Sequence, residues 1–170
     1  QRTPVLVLGG GSNLVVADEG FRGTAVRVQT RGCQVEKKGD RVRVAVAAGE
    51  SWDGFVERAV AEGWRGVECL SGIPGLVGAT PMQNVGAYGQ DVSQTIVDVR
   101  CFDRVDQKTV RFAGGECGFA YRSSRFRGSE RHLIVEVTFE FEVGPRSMPI
   151  AYAELSKALG VNEGGDAPLA

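Results

Sequence analysis

The sequence predicts an α+β chain, mostly β with few short helices, on three observations. Apolar and polar residues alternate at period two over several short runs, the mark of half-buried strands. Helical spacing is confined to two short stretches. Strands and helices do not alternate regularly and no segment repeats, so regular βαβ units are not encoded.

Taken in order, Val5-Leu6-Val7-Leu8 is a short aliphatic strand. Gly9-Gly10-Gly11-Ser12-Asn13 follows as a tight turn, and Leu14-Val15-Val16 reads as its continuation. Val26-Arg27-Val28 and Arg41 to Val46 read as strands, with Lys37-Lys38-Gly39-Asp40 as a hairpin-like turn between them. Ser51 to Glu62 is the clearest helix: Phe55, Val56, Ala59 and Val60 recur at helical spacing, Ser51 is placed to cap and Gly63 to terminate. Val97 to Phe102 and Lys108 to Phe112 are strands, and Leu133 to Glu142 is the strongest. Its second half alternates strictly, which buries one face and leaves Glu136, Thr138, Glu140 and Glu142 on a solvated one. Tyr152 to Leu159 reads as a short helix.

With 170 residues, 42% hydrophobic and 24% charged, the composition is that of a soluble globular chain. Twenty basic against twenty-one acidic residues give a net charge of −1, which argues against nucleic acid or an anionic membrane surface as partner. No apolar run approaches the ~20 residues of a membrane span. Cys33, Cys69, Cys101 and Cys117 form no C-x-x-C pair and there is one histidine, His132, so no metal site is expected. Buried reduced thiols of a cytosolic protein are the expectation for the cysteines, and a surface or packing role for His132.

Three segments stand outside these periodic patterns. The first is the Gly9 to Asn13 turn, where Ser12 and Asn13 add side-chain groups to exposed amides. It lacks the G-x-G-x-x-G of a Rossmann fingerprint and opens no helix. The second, Ser71 to Gly89, packs glycines, prolines, amides and hydroxyls into one stretch. Such backbone approaches a ligand closely and offers free N–H groups to phosphate, although a long structural loop has the same composition. The third, Cys117 to Arg127, mixes aromatics, arginines and hydroxyls. It reads either as a solvated turn or as an anion or flavin pocket, with Tyr121 and Arg122 facing opposite ways if the backbone is extended.

In this order, G-G-G-S-N, S-G-I-P-G-x-x-G-A-x-P-x-Q-N-x-G-A-Y-G and C-x-F-x-Y-R-x-S-x-F resemble the UDP-N-acetylenolpyruvoylglucosamine reductase family, in an actinobacterial-like form. These are FAD enzymes of bacterial peptidoglycan precursor synthesis, and the likeness runs from Val5 to about Leu155. It implies the vanillyl-alcohol-oxidase type of FAD fold. It also implies reduction of an enolpyruvyl ether on a nucleotide sugar by NADPH, in a cytoplasmic monomer tied to cell-wall synthesis, cell shape and division. Carried over, Gly9, Gly10, Gly11, Ser12 and Asn13 would wrap the FAD diphosphate. Ser71, Gly72, Ile73, Gly75, Gly78, Ala79, Gln83, Asn84, Gly86 and Tyr88 would line the rest of the cofactor, with Tyr121 and Ile134 beside it. Arg122 matches the family's catalytic arginine and would touch substrate; Tyr152 matches a tyrosine that closes over the substrate diphosphate.

The resemblance further implies residues 1–28 as part of a first FAD-binding subdomain, 29–165 as the second, and 166–170 as a linker toward a substrate domain. The family's G-S-F-F-x-N-P serine and late glutamate have no counterpart here. The chain is therefore expected to be a portion that binds FAD and does not turn over substrate by itself. Two other readings stay open on the residues alone: a flavin-binding module without turnover, and an α+β interaction domain whose glycine loops hold no ligand.

Overall fold

The computed structural model describes residues 3–169, so Gln1, Arg2 and Ala170, at the outer ends of the first expected subdomain and the expected linker, lie outside the described residues. In chain order the elements are β1 (Val5–Leu8), β2 (Thr24–Arg27), β3 (Cys33–Lys38), β4 (Arg41–Ala47), α1 (Trp52–Ala61), β5 (Trp64–Arg65), β6 (Gly86–Ala87), β7 (Gln90–Asp91), β8 (Ile96–Asp103), β9 (Lys108–Ala113), β10 (His132–Val143) and α2 (Ala153–Leu159). β3-β4-β10-β8-β9 form an antiparallel sheet, with β5 added to the end of β10. β1 and β2 make a separate parallel pair, and β6 and β7 a small antiparallel one.

The core lies between this sheet and α1, and period-two burial builds it. Val42, Val44 and Val46 of β4 and Val137, Phe139 and Phe141 of β10 are at most 1% exposed. α1 adds Trp52, Phe55, Val56 and Ala59, its Ser51 hydroxyl accepting the Gly54 N–H at 3.3 Å as N-cap. Trp52, Phe55 and Phe139 meet with ring centroids 5.1–6.0 Å apart. Burying each such side chain is worth about 1.5–3 kcal/mol.

Several sequence expectations are corrected. Leu14, Val15 and Val16 do not continue a strand; they are 43%, 97% and 55% exposed. The hairpin partner of β4 is β3, which contains Lys37 and Lys38, and the turn is only Gly39-Asp40. β3 was hidden because it is an edge strand with mostly polar, exposed residues, and such edges are kept charged against aggregation. Val26 and Arg27 instead pair in parallel with Val7 and Leu8. The glutamate face of β10 is no plain solvated surface. β4 and β8 set arginines opposite it, so Glu140 accepts from Arg43 at 2.6 Å and Arg41 at 3.1 Å, Glu136 accepts from Arg100 at 2.8 Å, and Thr138 is buried. Ala167 and Leu169 are hydrogen-bonded to the segment after β10, which leaves the expected division at residue 166 as it stands: Ser147 N–H donates to Ala167 O at 2.8 Å, and Leu169 N–H to Pro145 O at 3.0 Å. Among the described residues, no helix is long and apolar enough to cross a membrane.

Candidate functional site

Two glycine loops from distant parts of the sequence meet at one end of a cleft of about 730 Å³. The first leaves β1 at Gly9; the second follows the turn that Asp53 of α1 holds by accepting the Gly72 N–H at 2.6 Å. A Cβ added to Gly9 would lie 3.7 Å from Leu76 Cδ1, one on Gly10 3.7 Å from Gly75 Cα, and one on Gly75 3.5 Å from Ser12 Oγ. Backbone therefore faces backbone, and a larger side chain would enter the space between the loops. Gly11 (φ 80°) and Gly75 (φ 130°) hold left-handed backbone that suits glycine.

Among the described residues, the N–H groups of Gly9 through Asn13, and of Gly75 and Leu76, make no hydrogen bond within the chain. Amides gathered in this way favour a phosphate. The second loop is rigidly seated. Val77 N–H donates to Glu50 O and Gly78 N–H to Ala48 O, both at 2.9 Å, and Trp52 Nε1 donates to Leu70 O at 3.2 Å. Gly78 is required for this seat, since a Cβ there would lie 2.5 Å from the Cβ of Ala48.

Gly9, Gly10, Gly11, Ser12, Asn13, Ile73, Gly78, Ala79, Gln83 and Ile134 all line the cleft. Its walls are otherwise mostly apolar, with Val28, Trp52, Leu76, Met82 and Val85 among them. A bulge in β10 between Ile134 and Glu136 bends the strand where it meets the cleft. Sequence reasoning missed Arg104, Arg127, Ser129, Glu130, His132 and Leu133, which line one wall. Nothing local marks them; the β8–β10 pairing and the loop leading into β10 carry them there, with Arg104 Nη1 donating to Glu130 O at 3.1 Å.

The remaining expected residues lie off the cleft lining. Ser71 and Gly72 are exposed beside Asp53, and Gly75 stands against Gly10 and Ser12 as described. Gly86 pairs with Asp91, where a Cβ would lie 2.8 Å from Asp91 Cβ. Asn84 is 5% exposed and its amide is engaged with Ala120 and Ser93. Tyr88 and Tyr152 form an edge-to-face pair at 5.5 Å on the surface. Tyr121 and Arg122 do not face opposite ways: Ala120 and Ser123 exchange both backbone hydrogen bonds around them, and the Arg122 guanidinium lies 5.7 Å from the Tyr121 ring centroid. The backbone turns here because Arg122 is left-handed, at φ 51°.

His132 is a packing residue, its ring edge-on to Phe112 at 5.0 Å. Burial pushes its pKa down, Asp103 at 3.6 Å opposes this, and Arg125 and Arg131 add to the lowering. The cysteines do not line the cleft, and burial pushes Cys101 up to about 12 and Cys117 to about 11, so both are unreactive thiols.

Chemically, the cleft suits a ligand with an anionic segment at the glycine loops and flat apolar parts along the walls. The chain is 56% identical over 168 residues to the UDP-N-acetylenolpyruvoylglucosamine reductase of Thermobifida fusca, covering 98% of this chain and 47% of the relative. It is 53% identical to that of Salinispora arenicola, covering 98% and 46%. The chain thus spans about half the length of the curated relatives it matches. In structure it resembles UDP-N-acetylenolpyruvylglucosamine reductase from Thermus caldophilus, with a TM-score of 0.67 and 30% identity over 84% of this chain and 50% of the other. A cholesterol oxidase shares the fold alone, at a TM-score of 0.57 and 16% identity over 95% of this chain and 35% of the other. Residues 1–113 match the FAD binding domain family, and with its two glycine loops closing one cleft the chain belongs to that family.

Proposed function

We propose that the chain is the FAD-binding part of a reductase that converts UDP-N-acetylglucosamine enolpyruvate to UDP-N-acetylmuramate with NADPH. The observation that carries this reading is the meeting of the Gly9–Asn13 and Gly75–Ala79 loops across one cleft, in a chain so similar to reductases of that name. The residues present fit FAD. Unengaged amides of Gly10 to Asn13 suit its diphosphate, and Ile73, Ala79, Gln83 and Ile134 suit its ring system. FAD, when bound, supplies hydride chemistry that no side chain here provides.

The chain's own residues bind and orient. Arg122 presents a permanently charged guanidinium from an exposed turn, suited to the carboxylate of the enolpyruvyl group, where negative charge grows as the double bond is reduced. To Tyr152, which pairs edge-to-face with Tyr88, we assign the covering of the substrate diphosphate. We place the division between the two FAD-binding lobes at residue 28, between the β1–β2 pair and the larger sheet. The four free thiols support a reducing, cytoplasmic setting. The protein acts as a monomer on a small nucleotide sugar in cell-wall synthesis, and through it in cell shape and division.

Spectroscopy and turnover of the purified full-length protein test this. Flavin absorbance and NADPH loss that depends on the enolpyruvyl substrate are expected. Flavin without substrate-dependent NADPH loss would reduce the chain to a binding module; a colourless protein that takes up no FAD would refute the reading.

A further inference from the structure

The Ala120–Ser123 turn that carries Arg122 is held from two sides. Its own backbone closes it, with Ala120 N–H to Ser123 O at 3.0 Å and Ser123 N–H to Ala120 O at 3.1 Å. On one side Asn84 Nδ2 donates to Ala120 O at 3.2 Å, while Asn84 Oδ1 accepts the Ser93 N–H at 3.1 Å. On the other, Arg127 Nη1 donates to Arg122 O at 2.7 Å. One carbonyl is thereby tied to the glycine-proline loop and the other to Arg127, a residue further along the same loop that also lines the cleft.

Such fixing is needed. Arg122 stands at φ 51°, which an arginine adopts only when its surroundings impose it. Among the described residues its guanidinium makes no hydrogen bond or ion pair, and it lies 5.7 Å from the centroid of the Tyr121 ring. A long exposed side chain with no partner of its own is aimed only by its backbone. Asn84 can serve as the buried anchor because asparagine tolerates the left-handed backbone it holds, at φ 45°.

We infer that Asn84 and Arg127 are positioning residues for Arg122, clamping its backbone through Ala120 O and Arg122 O. The inference rests on the proposed role of Arg122 at the substrate carboxylate. It differs from the expectation that Asn84 holds FAD.

The test uses the full-length protein with Asn84→Gly and Arg127→Met, each alone and combined with Arg122→Ala. Glycine keeps the left-handed backbone and removes only the amide; methionine keeps the length and removes the donor, and serves if Asn84→Gly fails to fold. Each single variant is expected to slow reduction of the enolpyruvyl ether by roughly 10- to 100-fold. In Asn84→Gly, whose amide lies off the cleft, flavin content and the NADPH half of the reaction should be unchanged; Arg127 lines the cleft, so Arg127→Met is compared at saturating FAD, by its substrate half-reaction and by cleavage. In the Arg122→Ala background neither change should cost anything more, since residues acting as a unit are not additive. Independently of turnover, trypsin should cleave after Arg122 several-fold faster in both single variants, mapped by mass spectrometry. Additive rate losses, flavin lost from Asn84→Gly, or unchanged cleavage would overturn the clamp. Should Arg122→Ala leave substrate reduction intact, the functional reading falls and the positioning role with it, whereas the cleavage rates still report separately on the clamp.

Discussion

Asn84, Tyr88 and Arg122 are three of the four non-glycine residues with left-handed backbone among the described residues, at φ 45°, 49° and 51°. A bulky residue there is a rare conformer that neighbours must impose, and such residues gather at functional sites. Arg122→Lys should keep the charge and lose the two-pronged donor. We expect the substrate half-reaction to slow ~30- to 1000-fold, the equivalent of about 2–4 kcal/mol, with little change in the NADPH half. Stopped-flow measurement of each half checks this, and equal slowing would assign Arg122 to general binding. Gly10 gives a second residue-scale prediction. Its backbone is not left-handed and an added Cβ meets Gly75 Cα at an ordinary 3.7 Å, so Gly10→Ala should retain flavin. The further methyls of Gly10→Val would enter the gap between the loops, and flavin stoichiometry after gel filtration should drop sharply.

At the scale of elements, the end of β8 and the start of β10 are joined by charge as well as by the ladder. Asp103, 2% exposed, receives the Val105 N–H at 2.9 Å, the Asp106 N–H at 3.1 Å and Arg131 Nε at 2.8 Å. Burial alone would raise its pKa; the Asp106 amide, the Arg131 guanidinium and the Val105 amide outweigh it and hold the carboxyl at about 2. A carboxylate with a depressed pKa stabilises the fold above its unfolded value, near 4, and that contribution is lost as pH falls toward 2. Denaturant unfolding of Asp103→Asn should therefore show lower stability at pH 7 and a shallower loss between pH 4 and 2 than the parent. His132 works over a different range. Its lowered pKa means that the unfolded chain takes up the proton first, so stability falls as pH drops below about 6.5. As it is the one histidine in the chain, His132→Phe should flatten that limb, the ring still packing between Phe112 and Phe126.

At the scale of the molecule, the large sheet and the β1–β2 pair differ in how well they are supported. β10 and β4 lie in a core that α1 covers, whereas β2 is exposed along its length and β1 only half-buried. A two-stranded pair is marginal alone, and parallel pairs are normally covered on both faces. A ligand spanning the cleft contacts both parts, since Leu6 to Leu14 and Ile134 line the same space. Binding to the folded state at 100 times Kd adds about 2.7 kcal/mol. Hydrogen exchange of the β1 and β2 amides should accordingly be fast without FAD and slow when FAD is added. Those of β10 should stay protected in both cases; equal protection with and without FAD would remove the bridge.

The sequence alone determined the features that depend on neighbours along the chain. Period-two alternation of residue types marked β4 and the second half of β10, Val97 to Phe102 and Lys108 to Phe112 also read as strands, and Ser51 with the spacing of Phe55, Val56 and Ala59 marked α1. The two glycine loops stood out because backbone without side chains is itself a local signal. Only the tertiary structure decided which distant segments meet. It paired β3 with β4, set arginines across from Glu136 and Glu140, and brought Gly10 against Gly75. It placed Arg104 and Arg127 on the cleft wall and turned Asn84 toward Ala120. The physical reason is common to all of these: strand register, ion pairing and loop contact are set between residues far apart in sequence. Their energies depend on distances that no local window contains.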